Sequence, residues 1–538
     1  MAALLLLSSL AMVFVIRIMP LILWGRPELS TGDVINHLNL VDGFRQNRHR
    51  VPDFKDKFLL TDREDYPVLM HWMLSFLPQR VVDHYEPVFG AIVETVHGAW
   101  LFLATYALAQ SAWHSADPAS VAFVATLMWA GTPLLLGIEN YGRVFRLSAR
   151  PIGVLLVSTC LMTEVLFLTT QNYAWLAVGG ASGGLVMLSS KFGLQALAFL
   201  TGFLCLLSGD AQPLLLLPAG FILGMLSSRG HLLTILRGML HHSHFYCTYL
   251  SSRHPATTTH TFKDLVLLPV TLFTNPQKVA RLLLTHYVLI SFTLFPWSIL
   301  LLATYALHPH WISNDAGMEK YLLCWYVAGL MSMLVTATRW LQFLGEASRY
   351  VIHSVTPVCI LAAHRLMWLD DPRLWQFASL LAAVAAAGLA CNYWVTAAVR
   401  RGDEDRLKLY DWIKQQSAST LLTIDLRLSF LLCFRTPHRA VNVHTNAPRG
   451  RNLEAYKRLV AEAYPSPSSD IEGIVGEYRV DLVVVDLKAI ESFQERTGGK
   501  NYDFSPYQLI FESGRFRVYR TRPAAVSHPE PCRVAEAA

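Results

Sequence analysis

Charged residues are scarce in this chain, and many of them stand at the ends of apolar runs. Asp33 follows the first run in "STGDVINH", with His37 four residues on. Glu139, Arg143, Arg146 and Arg150 precede another in "ENYGRVFRLSARP". Lys191 interrupts a third in "MLSSKFGLQ", and Glu346 and Arg349 open a fourth in "FLGEASRYVIHSVTPV". Guanidinium groups offer paired donors to phosphate oxygens, and an ammonium offers a compact charge. A carboxylate beside them can take a proton from a hydroxyl. Such a set suits a phosphorylated substrate met at a membrane boundary, where ionisable groups are costly and default to a functional reading.

Each residue also has a plainer reading. Asp33 would serve as an N-cap or first-turn acid, worth about 1 kcal/mol to a helix. Lys191 would snorkel to the interface. Glu346 and Arg349, three residues apart, would pair with each other. The arginines before Pro151 would be loop residues ahead of a helix start. Tyr66-Pro67 and His71-Trp72 would pack a loop helix. Asp33 and His37 share a helix turn, but two ligands make no metal site. "HHSHF" (241–245), with His254 and His260 nearby, matches no metal spacing. "GGASGG" (179–184) lies within an apolar run and reads as close helix packing, not as a phosphate loop.

The elements that carry these residues follow from composition. Of 538 residues, 53% are hydrophobic and 16% charged, with a mean hydropathy of +0.35. A soluble protein carries about a quarter charged residues. The apolar residues come in blocks of transmembrane length, so the fold class expected is a polytopic α-helical membrane bundle of about 11 transmembrane helices followed by a small α/β soluble domain. The spans are expected near 2–24, 88–110, 118–138, 151–169, 174–190, 192–208, 212–227, 282–306, 320–340, 350–367 and 374–398. The first has no basic leader and no clear small-residue cleavage site, so it is read as a retained helix. Long hydrophilic insertions are expected at 25–87 and 228–280, the second with pieces such as "FKDLVLLPVTLF" that suit a membrane surface. The bundle therefore occupies 1–399, with a large first loop at 25–87.

Beyond Val399 the sequence turns globular, and 400–522 is read as a soluble α/β domain. "STLLTI" (419–424), "AVNVHT" (440–445), "VDLVVVD" (480–486) and "YQLIFESGRFRVYR" (507–520) are strand-like, and "NLEAYKRLVAEAY" (452–464) has helical spacing. Residues 523–538 are read as a disordered tail. The net charge is +6, and no basic tract interleaved with aromatics occurs, so nucleic acid is not an expected partner. The eight cysteines are scattered without CxxC pairs and read as small core residues, with no metal site or disulfide framework. Alternation of the spans gathers the charged loops and the C-terminal domain on one face. The positive-inside rule would turn that face to the cytoplasm.

The order of these features resembles the GT-C-type membrane glycosyltransferases. A first helix is followed by a large loop opening with "GDVINH" and continuing to "DYPVLMHWMLSFLP" (Asp65 to Pro78), similar to a Tyr-Pro-Pro-Leu-x-His pattern in bacterial members. "MLSSKFGLQ" resembles their Ser/Thr-Lys-Phe/Gly helix junction, "GEASRY" a Gly-Glu-x-x-Arg-Tyr motif, and the C-terminal segments the soluble domain that follows such bundles. The resemblance implies inverting transfer of a sugar from a polyprenyl-phosphate donor to a glycan, lipid or protein acceptor. It implies an inner membrane of bacterial type, with the site and the C-terminal domain outside the cytoplasm. Asp33 matches the usual catalytic acid, while Asp42 and Asp65 are candidates for a second. Lys191, Arg349, Arg146 and Arg150 would hold the donor phosphate. His37, Tyr66, His71, Glu346 and Tyr350 would contact substrate. Some relatives bind a divalent cation at the loop acid and others do without, so a cation at Asp33 stays open. Two readings compete: a transporter or flippase for a lipid-linked or phosphorylated substrate, and a membrane scaffold. Transporters place charges near the midplane and often carry internal repeats, whereas here the charges stand at helix ends and no repeat is visible.

Overall fold

Helices lie at the positions of the expected spans in the computed structural model, which describes residues 1–25, 32–62, 64–136, 146–251, 253, 262–308, 317–338, 341–345, 347–400 and 404–521. Among the described residues, six helices are long and apolar enough to cross a membrane: Ala2–Trp24, Gln79–Ser111, Arg150–Thr170, Lys191–Ser208, Ser348–Leu369 and Pro372–Trp394. A bent pair, Gln212–Ser227 with His231–Leu250, brings the number to seven if counted as one span. Two of the expected spans are interrupted for local reasons. The run at 118–138 is helical only over Pro118–Ala130 before a 3₁₀ turn at Pro133–Leu136. The run at 282–306 breaks at His286, which is extended, and again at Phe295, which leaves the helical region ahead of Pro296 as a residue before proline is driven to do.

The chain divides into two compact units. The first comprises 1–52, 65–251 and 255–401. Its helices include α1 (Ala2–Trp24), α2 (Gly32–Gln46), α3 (Phe89–Ser111), α4 (Pro118–Ala130), α5 (Arg150–Thr170), α6 (Tyr173–Ser189), α7 (Lys191–Ser208), α8 (Leu216–Ser227) and α9 (His231–Phe245). Glycines of the "GGASGG" run let α6 meet α8 backbone to backbone. A Cβ on Gly184 would stand 3.0 Å from the Gly220 carbonyl and 3.0 Å from the Gly224 nitrogen. The run is thus a packing surface, as small residues between membrane helices are. After α8 the chain turns by 119°, at Arg229 and Gly230, whose φ values are 51° and 84°. It then enters helix α9, where the sequence suggested a hydrophilic insertion.

Two charged clusters are buried among the helices. Arg17 of α1 reaches Glu94 of α3 at 3.4 Å, donates to the Ala130 carbonyl at 2.7 Å and lies over Trp129. Arg365 donates to Glu319 at 2.7 Å and to Thr304 at 3.2 Å, and lies 4.0 Å from the Tyr305 ring centre. Breaking a buried pair from one side strands the other charge at a cost of about 3–5 kcal/mol. Glu94→Leu is therefore expected to lower the thermal unfolding temperature in detergent strongly, and Arg17→Met in the same chain to restore much of it. Equal stability of the single and double variants would show that the pair is not a support.

The second unit comprises 53–64, 252–254 and 402–538. Its sheet has the order β2-β1-β3-β5-β4, from Thr420–Thr423 (β1), Arg439–Ala440 (β2), Leu482–Asp486 (β3), Gln508–Ser513 (β4) and Phe516–Arg520 (β5). β2, β1 and β3 are parallel, and β3, β5 and β4 are antiparallel. The strands fall where β-branched runs suggested, and the turn at Ser513-Gly514 joins β4 to β5. The run at 440–445 stays in the ladder only to Ala440. Beyond it the Asn442 amide donates to the Leu426 carbonyl and to Ser429, and His444 N–H donates to Thr61. Residues 57–60 pair along β2, with Leu59 N–H to the Ala440 carbonyl and Ala440 N–H to the Lys57 carbonyl. Glu64 is buried and accepts from Thr445 and from His444 at 3.1 Å. Part of the large first loop therefore belongs to this unit. The expected tail lies outside the described residues.

Candidate functional site

The helix break at Ser190 organises the site. Ser190 is extended between α6 and α7, and its hydroxyl accepts from Gly193 N–H at 3.0 Å, capping α7 as serine does at a helix start. Gly153 lets α5 lie against this break, for a Cβ there would stand 2.6 Å from the Ser190 Cβ. That approach carries Arg150, one turn earlier, to 5.6 Å from the ring centre of Phe192. From the third direction comes Gly345, whose φ of +111° few residues adopt and whose Cβ would stand 2.8 Å from the Phe192 ring. Arg349 follows, with its guanidinium 4.2 Å from the same ring centre. Two arginines thus share one aromatic ring, a contact worth about 0.5–2 kcal/mol each.

Lys191 precedes Phe192, and the charged groups it feels most are Asp65 and Arg349. A cavity opens here, lined by Arg150, Arg349, Phe192, Ser190, Gly193, Val154, Ile352 and His353. Two guanidinium groups converging on one concavity concentrate anions there. Forked donors side by side match the oxygens of a phosphate group.

The first loop supplies the acids. Asp33 is exposed in the first turn of α2, and among the described residues its carboxylate makes no hydrogen bond or ion pair. One turn on, His37 shares a 2.8 Å hydrogen bond with His71, and Tyr66 lies 6.1 Å and 6.0 Å from the two rings. These three predicted substrate residues therefore meet. Asp65 is buried beside Tyr66 and packs against Gly238 of α9. Asp42 is instead engaged by Arg45 at 2.7 Å. His242, one turn beyond Gly238, has Lys191 as an electrostatic neighbour.

Two further predicted residues, Tyr350 and Arg146, are among those described. Tyr350 is buried, donates to Gln195 at 3.3 Å and meets Phe199 edge-on. Arg146 is buried just ahead of α5. Glu346, Glu139 and Arg143 lie outside the described residues. Phe192 and His353 are site residues that sequence reasoning missed. Phe192 was visible only as an aromatic directly after a membrane lysine. Among the described residues no three His, Cys, Asp or Glu side chains gather as a metal would require.

No family model matches the chain, and no curated protein matches it in sequence. Solved structures do match. The oligosaccharyltransferase of Archaeoglobus fulgidus, tethered to an acceptor peptide, is 13% identical, with a TM-score of 0.56 over 96% of this chain and 74% of that one. The same enzyme in complex with Zn and sulfate is 14% identical, with a TM-score of 0.54 over 96% and 73%. ArnT from Cupriavidus metallidurans, bound to undecaprenyl phosphate, is 12% identical, with a TM-score of 0.52 over 97% and 98%. The chain thus carries, over nearly its whole length, the fold of the GT-C-type membrane glycosyltransferases.

Proposed function

We propose that this chain is a membrane glycosyltransferase that moves a sugar from a polyprenyl-phosphate donor to an extracytoplasmic acceptor with inversion. Asp33 takes the proton of the acceptor hydroxyl as its oxygen attacks the anomeric carbon. The bond from that carbon to the phosphate oxygen breaks on the opposite side, and the phosphate stays on the lipid. A lipid phosphate leaves readily and needs little general acid, so one base suffices. The growing charge is met by Lys191, Arg349 and Arg150, as fixed cations do in a site of low dielectric. His37, Tyr66 and His71 would line the sugar or acceptor side. The site and the C-terminal unit face away from the cytoplasm of a bacterial inner membrane in this reading.

The observation that carries it is the convergence of Arg150 and Arg349 on Phe192, the residue directly after Lys191. Supporting it, a protein of the same fold is bound to undecaprenyl phosphate. The test is mass spectrometry of lipid-linked sugars and surface glycans from a strain lacking the protein. The expected result is a build-up of one polyprenyl-phosphate sugar and loss of that sugar from its acceptor. A flippase would instead leave the sugar lipid trapped on the cytoplasmic face. Unchanged pools of both would contradict the proposal.

A further inference from the structure

We propose that the start of α7 seats the donor's lipid phosphate, with the Ser190 hydroxyl and the Lys191 and Phe192 backbone N–H groups as uncharged donors beside the two arginines. The inference rests on the reading of the cavity at Phe192 as a lipid-phosphate site. Ser190, Phe192 and Gly193 line that cavity together with Arg150 and Arg349, so the first turn of an 18-residue helix opens into it. The first N–H groups of a helix have no partner within it. Here the cap takes only the third of them, as Ser190 Oγ accepts from Gly193 N–H at 3.0 Å. Leu194 N–H then begins the helical ladder by donating to the Ser190 carbonyl at 3.0 Å. Among the described residues, the Lys191 and Phe192 N–H groups donate to nothing.

The hydroxyl is the independent sign of a ligand. Ser190 is 6% exposed and lines the cavity. Its oxygen accepts from Gly193, but among the described residues its O–H donates to no acceptor. A buried polar hydrogen left unmet is costly and calls for an explanation, and an acceptor held in the cavity supplies one. The side chain is closed in by Gly153 of α5, where a Cβ would stand 2.9 Å from its Oγ, and by Gly193, where one would stand 3.1 Å from its Cβ. The neighbouring Ser189 differs, because its hydroxyl donates to the Val186 carbonyl at 3.2 Å. Phosphate oxygens accept from such donors, and the positive end of the helix dipole favours their charge. The donor phosphodiester carries one negative charge. As the bond from the anomeric carbon breaks, its electron pair goes to the phosphate oxygen and a second charge develops. Fixed O–H and N–H dipoles meet that charge without rearrangement.

The test parts the hydroxyl's role as ligand from its role as cap. Ser190→Gly and Ser190→Ala both remove the O–H, but a glycine cap keeps most of the helix stability that an alanine loses. Binding is measured with undecaprenyl phosphate and the full chain in nanodiscs. Transfer is followed in membranes of the deletion strain complemented with each variant, since those membranes supply native donor and acceptor. Both variants should bind about 10-fold more weakly, the loss expected from one hydrogen bond to a charged group, and transfer about 10²-fold more slowly. Ser189→Ala should match the wild type in both. Inorganic phosphate at the same concentration should leave the lipid bound, since the free anion lacks the apolar chain. Displacement by it would assign the seat to free phosphate and overturn the inference. Ser190→Gly carries the test alone if Ser190→Ala does not assemble. Wild-type binding in Ser190→Gly, or an equal loss in Ser189→Ala, would leave Ser190 a cap only and overturn the inference. If Arg349→Ala weakens binding while Ser190→Gly does not, the lipid-phosphate reading stands and this inference falls. A wild-type protein that fails to bind undecaprenyl phosphate overturns the reading itself, and this inference with it.

Discussion

Lys191→Ala is expected to slow sugar transfer by about 10²–10³-fold, the loss typical when one preorganised donor to a developing oxyanion is removed. It is also expected to weaken undecaprenyl phosphate binding. The cause is electrostatic and local. Lys191 opens α7 at a break that α5 and the loop at Gly345 both approach through glycines, so its surroundings are fixed and partly dry. Charge interactions there are several-fold stronger than in bulk water. Lys191→Arg should not rescue fully, since a planar fork cannot replace a point charge beside Phe192, where two guanidinium groups already lie. Arg349→Ala should weaken binding as well, by removing both a charge and its stack on Phe192. Binding measured in nanodiscs decides the matter, and unchanged affinity in both variants would remove these cations from the site.

Asp33→Asn is expected to cost about 10²–10⁴-fold in transfer, the range of a positioned general base. Stability should scarcely change. The carboxylate is exposed in the first turn of α2, where an acid contributes at most about 1 kcal/mol through the helix dipole. Thermal unfolding in detergent and the transfer rate in complemented membranes separate the two roles. Retained transfer with a lowered unfolding temperature would make Asp33 a helix acid only, and the base would then be another carboxylate.

Much of the bundle was legible because lipid imposes long apolar runs with few charges, and those runs mark helices whatever their partners. The cations of the proposed site are conspicuous for the same reason: Lys191, Arg150 and Arg349 stand out against apolar sequence. Less local features were hidden. Phe192 reads as one more apolar residue, since only tertiary structure brings two arginines over it. Gly238 reads as a weak point in a helix, although its lack of a side chain is what admits Asp65. The chain from 57 to 60 looked like loop because its hydrogen bonds are made with β2, hundreds of residues away. Hydropathy joins 118–138 and 282–306 into whole spans because it averages over Pro133 and Pro296, where the helices are interrupted. The resemblance found in motif order is met by the fold of the solved structures, at an identity where single motifs carry little weight.

The most direct test of the proposed chemistry is a cryo-electron microscopy map of the protein in nanodiscs containing undecaprenyl phosphate. The expected result is phosphate density beside Phe192, within hydrogen-bonding distance of Lys191 and Arg349, with the Asp33 carboxylate facing the same cleft. Lipid phosphate seated elsewhere on the bundle, with the cavity at Phe192 holding only water, would contradict it.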